Sequence, residues 1–204
     1  GGSLAYAGNI VWTNTSGGNW SEPANWDPPV VPGASDTAII TNTGNYTVNL
    51  DISVRLNGLV LGTTNSNNPT FLINSNSFTL NGTFTNYGTV SWGNTNLYGE
   101  GSPQIFNFGL WEATTNNTFY GGDSGGTTFN NYGTFRKSGG SAYGNTYLDP
   151  ATTFNNLGTL DIQIGVFGIS RGTDSGTVNL ASNTVFYSNS DAGVLAGDPV
   201  FNGT

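Results

Sequence analysis

One motif returns four times along this chain and limits its fold more than any other feature. It reads Thr83-Phe84-Thr85-Asn86-Tyr87-Gly88-Thr89-Val90 and then Ile105-Phe106-Asn107-Phe108-Gly109-Leu110-Trp111. It comes back as Thr128-Phe129-Asn130-Asn131-Tyr132-Gly133-Thr134-Phe135 and as Thr153-Phe154-Asn155-Asn156-Leu157-Gly158-Thr159-Leu160. The motif glycines fall at 88, 109, 133 and 158, intervals of 21, 24 and 25 residues. Intervals of that size match one coil of a solenoid, in which each repeat covers the apolar face of the one before it. Weaker copies stand at Leu56-Asn57-Gly58-Leu59-Val60, Leu80-Asn81-Gly82-Thr83-Phe84 and Ser175-Gly176-Thr177-Val178-Asn179-Leu180.

The composition agrees with strands and turns. Glycine supplies 31 of 204 residues, Asn and Thr are abundant, and the strong helix formers Ala, Leu, Glu and Lys are scarce. Enough Phe, Ile, Val, Leu and Trp is scattered through the chain to build a core, which excludes a disordered polar polymer. The predicted fold is all-β: a right-handed parallel β-helix (β-solenoid) with an irregular Trp-rich N-terminal cap. Like residues of successive coils then stack, so Phe84, Phe106, Phe129 and Phe154 are expected in one inward column and Val90, Trp111, Phe135 and Leu160 in a second. Trp92, two residues beyond Val90, points inward with it by strand alternation. Asn86, Asn107, Asn130 and Asn155 are expected to form a side-chain ladder that satisfies turn backbones. The motif glycines are expected to supply the positive φ of sharp bends.

Two regions follow from this pattern. Residues 1–53 contain no coil motif and place Trp12, Trp20 and Trp26 among Gly, Asn and Pro, with strand patterns at Thr37-Ala38-Ile39-Ile40 and Tyr46-Thr47-Val48-Asn49-Leu50. They are expected to be a cap, because an open solenoid end exposes unpaired backbone and apolar cross-section. Residues 54–204 are expected to be coils. Val200-Phe201-Asn202-Gly203-Thr204 resembles the opening of a further coil, so the expectation is a fragment of a longer array or, alternatively, a filament subunit completed by its neighbour.

Charge narrows the function classes. The formal net charge is −8, with Arg55, Arg136, Lys137 and Arg171 as the only cations, too few to neutralise phosphates, so nucleic acid is not an expected partner. No apolar run reaches the length of a helical membrane span, and membrane insertion is not expected. With no Cys, Met or His, the chain has no disulfide framework, thiolate chemistry or ordinary zinc site, and no cofactor is expected. Ala5-Tyr6-Ala7 has the small-x-small form of a signal-peptidase site, a form that an Ala- and Gly-containing terminus also produces by chance. Asn14, Asn19, Asn45, Asn81, Asn116 and Asn202 head glycosylation sequons, in a chain where Asn and Thr are common enough to create several by chance.

The run Gly18-Asn19-Trp20 to Asn25-Trp26, then Val31-Pro32-Gly33 to Asp36, followed by Phe-Asn-Asn-x-Gly-Thr repeats, resembles bacterial secreted or cell-surface β-solenoid proteins. It is similar to autotransporter-type passenger domains and large adhesin-like proteins. The resemblance covers nearly the whole chain and implies an extracellular or cell-surface location. It transfers no catalytic residue.

Three kinds of chemistry remain to be weighed. Polysaccharide lyases and hydrolases need a base and clustered carboxylates. The middle coils offer only Arg136, Lys137 and Arg171 with Asp149, Asp161 and Asp174. Aligning Gly133 with Gly158 lays Arg136 over Asp161 and Lys137 over Ile162, which makes an inter-coil ion pair the simpler role. Calcium-binding repeats are absent, and Gly121-Gly122-Asp123-Ser124-Gly125-Gly126 offers a single carboxylate, so no metal site is expected. Carbohydrate binding is served by aromatic rings beside amides, and Tyr98, Tyr120, Tyr143 and Tyr147, with Asn116 and Asn145, are the candidates. The leading expectation is a noncatalytic extracellular structural or adhesive module: a rigid stalk, surface-layer component or filament subunit. Its partners would be further repeats or copies of the same protein, and cell-surface glycans. A carbohydrate-binding module is the first alternative and a fragment of a lyase or glycoside hydrolase the second.

Overall fold

The computed structural model describes residues 7–122 and 125–188, and the backbone of the strand Val200–Gly203. Ala5 and Tyr6 of the cleavage-site match, Asp123 and Thr204 lie outside the described residues. The chain is a parallel β-solenoid with two sheets facing one core. The second of them has nine strands: Gly18–Asn19, Thr47–Asn49, Thr70–Ile73, Thr89–Trp92, Leu110–Ala113, Thr134–Lys137, Thr159–Ile162, Thr177–Leu180 and Val200–Gly203. Each pairs in parallel with the next in chain order. The first sheet has 12 strands, from Trp26–Asp27 and Asn9–Trp12 to Val166–Asp174 and Val185–Ser188. Its pairing of Asn9–Trp12 with Trp26–Asp27 is antiparallel, and Thr37–Ile40 already pairs in parallel with Val54–Leu61.

Strand alternation makes the core. In the second sheet Val48, Phe71, Val90, Trp111, Phe135, Leu160 and Val178 stand above one another, all buried. Trp92 is buried in the same sheet and donates its indole N–H to the Thr95 carbonyl at 2.7 Å. In the first sheet the column is Leu59, Phe84, Ile105, Phe129 and Phe154. This corrects the expected place of Phe106, which pairs with Thr85 and Asn130 and lies half-buried on the outer side. The reason is parity: Phe84, Phe129 and Phe154 stand four residues before their glycine, and in the second copy that position is Ile105.

The three cap tryptophans are buried and continue the core. Trp26 meets Trp12 and Trp20 edge-on at 4.9 and 4.6 Å, and Trp20 reaches Phe71 at 5.4 Å. From there ring contacts run without a break through Phe78, Phe84, Trp111, Phe129, Phe135 and Phe167 to Phe186.

At the corner between the sheets lies a buried ladder. Nδ2 of Asn86 donates to Oδ1 of Asn107, Asn107 to Asn131, and Asn131 to Asn156, each at 2.7 Å. Asn156 donates in turn to Asp174 at 3.1 Å. Each amide also donates across the corner to a carbonyl of the next coil: Leu110, Thr134, Thr159 and Thr177. Asn86 and Asn107 take the expected places, but Asn131 and Asn156 replace Asn130 and Asn155. In each Asn-Asn pair the residue two before the glycine faces in, and its neighbour faces out, where Asn155 donates to Asn130 at 3.0 Å.

The motif glycines have a different cause from the one expected. None of Gly88, Gly109, Gly133 and Gly158 adopts positive φ. The coils approach so closely that a Cβ on Gly109, Gly133 or Gly158 would stand 2.1, 2.2 or 2.1 Å from the carbonyl oxygen of the previous motif glycine. That approach lets two consecutive N–H groups, such as those of Tyr132 and Gly133, both donate to the Asn107 carbonyl at 2.8 Å.

Candidate functional site

The first sheet is continuous in Phe78–Asn86 and in Asn145–Asn156, but two coils between them are broken. Leu97–Gly99 and Gln104–Asn107 are separated by Glu100-Gly101-Ser102-Pro103, and Thr118–Tyr120 and Thr127–Asn131 by residues 121–126. Glycine and proline here interrupt the strand ladder. Over these breaks lies a groove of about 470 Å³ lined by Tyr98, Gly99, Glu100, Gly101, Tyr120, Gly122, Asp149 and Ala151. Three successive coils contribute to it.

Tyr98 and Tyr120 are brought together by register, since they pair directly across the parallel strands Leu97–Gly99 and Thr118–Tyr120. Their rings stack at 5.5 Å with planes 14° apart, and 36% and 42% of each residue is exposed. The groove carries two carboxylates. Glu100 forms an exposed ion pair with Arg55, and Asp149 Oδ1 accepts from the Gly121 and Ala151 amides and the Thr152 hydroxyl. Gly101 and Gly122 adopt φ of +67° and +84°, backbone that side chains rarely adopt; Gly122 packs against the Gly99 carbonyl, where a Cβ would stand 2.2 Å away, and Gly101 leaves its main chain open.

The other candidates lie elsewhere. Tyr147 stacks on Tyr187 at 6.4 Å and bonds through its hydroxyl to Ser170, and Asn145 donates to the Tyr187 hydroxyl at 3.0 Å. Tyr143 is 95% exposed on a loop. Asn116 accepts from Lys137 Nζ at 3.2 Å. Among the sequon residues, Asn14 uses its amide nitrogen on Gly17 and Asn25, Asn81 is half-buried, and Asn19, Asn45 and Asn116 are exposed. Asn202 is described by its backbone pairing with Asn179.

Arg136 and Asp161 pair as the aligned glycines require, with Nε and Oδ2 2.8 Å apart. Lys137 lies beneath Ile162 and is wholly buried, its Nζ donating to Gly139 O at 2.9 Å, Asn116 Oδ1 at 3.2 Å and Thr115 O at 3.4 Å. Burial pushes its pKa down from 10.5 to about 8. Among the described residues no three His, Cys, Asp or Glu side chains gather as a metal site, and no helix is long and apolar enough to cross a membrane.

A further aromatic feature escapes a reading of the motif as core alone. Tyr87, Phe108 and Tyr132, each just before a motif glycine, stack along one outer corner at 5.0 Å intervals. The recurrence of an aromatic at that motif position is the signal that finds it. The stacking covers ring faces and leaves edges to solvent, with Phe108 and Tyr132 43% and 44% exposed.

Comparison with protein-family models, with curated proteins and with solved structures gives no match.

Proposed function

We propose that this chain is a noncatalytic extracellular module that works mechanically, as a rigid spacer or stalk segment. Its partners would be further repeats or copies of itself and the glycans of the surface it stands on. The observation that supports this most directly is the unbroken stack of nine parallel strands, backed by a continuous chain of core rings and a buried amide ladder. Load along such a stack is shared by many parallel hydrogen bonds, and each added coil lengthens it by one strand spacing, about 4.8 Å. The extracellular setting rests on the resemblance to surface solenoids and on the low charge content, 8% of residues. Noncatalytic use fits the engagement of two of the middle-coil cations, Arg136 with Asp161 and Lys137 inside the core.

The test is a coil duplication: a second copy of residues 134–158 inserted after Gly158. Small-angle scattering should show the particle longer by about 4.8 Å at constant cross-section. A particle that widens, or an insert that unfolds the chain, would overturn the rod. Protease treatment of intact producing cells should clip the protein from their surface; full protection inside the cell would overturn the location. Release of new reducing ends from any polysaccharide would overturn the noncatalytic assignment.

A further inference from the structure

Beyond the mechanical role, we infer that the groove over the two broken coils is a binding site for a neutral glycan chain, with Tyr98 and Tyr120 as its stacking platform. Three observations on the groove converge. Its volume of about 470 Å³ falls within the range of ligand sites, roughly 300–1,000 Å³, and suits a short stretch of pyranose rings.

The aromatic pair has the right placement. A sugar packs its C–H face on an aromatic face while its hydroxyls reach polar groups around it. The stack closes the inner faces of Tyr98 and Tyr120 against each other. The outer side of Tyr120 faces the third coil, where register sets Asp149 beyond it, because Phe119 pairs with Leu148 one residue earlier. Asp149 is held there by its bonds to Gly121, Ala151 and Thr152. In the corner column Tyr87, Phe108 and Tyr132 the middle ring is covered on both faces, and none of the three lines the groove.

The polar lining selects the sugar class. Glu100 and Asp149 bring carboxylate oxygens, which accept hydrogen bonds, and the exposed main chain at Gly101, with no neighbour closer than 3.6 Å to the place of a side chain, allows close approach. Such a lining calls for a ligand rich in hydroxyl donors. Two carboxylates against the one guanidinium of Arg55, in a chain of net charge −8, repel uronate and sulfate groups.

Isothermal titration of the 204-residue protein with cellohexaose, xylohexaose, mannohexaose and an oligogalacturonate of the same length tests the site. At least one neutral hexaose should bind at about 1 mM or below, and the uronate should not. Tyr120→Ala and Tyr98→Ala should each weaken that binding by about tenfold. Tyr143→Ala, outside the groove, should leave it unchanged. Both groove tyrosines are more than a third exposed, so unchanged circular dichroism and melting temperature are expected of the variants; Tyr120→Phe, which keeps the ring, should bind like the parent. Absence of neutral-glycan binding, equal binding by the alanine variants, or preference for the uronate each overturns the inference. None of these results bears on the rod.

Discussion

Asn130 and Asn131 are chemically identical neighbours, and the fold gives them opposite fates, which makes them a sensitive test of the ladder. Asn131 is fully buried and its amide makes three ladder contacts: it accepts from Asn107 and donates to Asn156 Oδ1 at 2.7 Å and to Thr159 O at 3.0 Å. Asn131→Ala strips the donor from two acceptors in the corner. Asn156 Oδ1 is left buried without a partner, at about 1–3 kcal/mol, and the lost bond to Thr159 O adds about 1 kcal/mol, so the loss should be about 2–4 kcal/mol. Asn107 keeps a partner, because its Nδ2 also donates to Thr134 O. Asn130 is half-buried on the outer side and loses one hydrogen bond, from Asn155, when changed to Ala. That bond should contribute about 0.5–1 kcal/mol. Urea unfolding followed by tryptophan fluorescence and circular dichroism measures both variants. Because coils couple to nearest neighbours, Asn131→Ala should also reduce the slope of the transition, as the array opens at the damaged coil first. Equal midpoints for the two variants, or an Asn130→Ala more costly than Asn131→Ala, would refute the ladder and its register together.

Gly133→Ala places a Cβ 2.2 Å from the Gly109 carbonyl oxygen and should cost about 2–3 kcal/mol in calorimetric melting, whereas Gly33→Ala, with its nearest neighbour at 3.6 Å, should be close to neutral. Lys137 has a folded pKa of about 8, below its unfolded 10.5, so the native state binds fewer protons between those values. The Lys137 contribution should therefore be flat below pH 8 and rise by roughly 3 kcal/mol between pH 8 and 10.5, a difference from Lys137→Met that urea titrations at several pH values should show. Arg136→Ala breaks a pair whose side chains are 34% and 20% exposed, so its cost should be at most about 1 kcal/mol and should shrink in high salt.

How far the fold was legible depended on which residue set the phase. Counting from glycine placed Val90, Trp111, Phe135 and Leu160 in one column and Arg136 over Asp161, because the close approach at glycine leaves the coils no freedom to slip there. Matching by letter failed where a position is filled by different residues: Ile105 does the work of Phe84, and in Asn130-Asn131 the letters do not say which side chain faces in. A slip of one residue exchanges core for surface. Tyr98 and Tyr120 were visible as candidates, but the groove they line was not. It arises where the strand is interrupted in two coils and not in a third, and Asp149, inside a continuous strand, joins it only through stacking of residues far apart in sequence. Lys137 was aligned correctly over Ile162, yet its burial was hidden, since a lysine at an inward position reads as a surface residue until the carbonyls that receive it are known.

The ladder also gives the solenoid a sense of direction. Every amide hydrogen in it is handed toward the C-terminal side, and the line ends on Asp174, a carboxylate that receives but has nothing to pass on. Such a vector has unlike ends, one with acceptors to fill and one with its last donor already spent. Coils copied in tandem extend it without redesign, and a coil that carried a carboxylate in mid-line would stop it, so the choice between Asn and Asp at a single motif position decides whether the line continues.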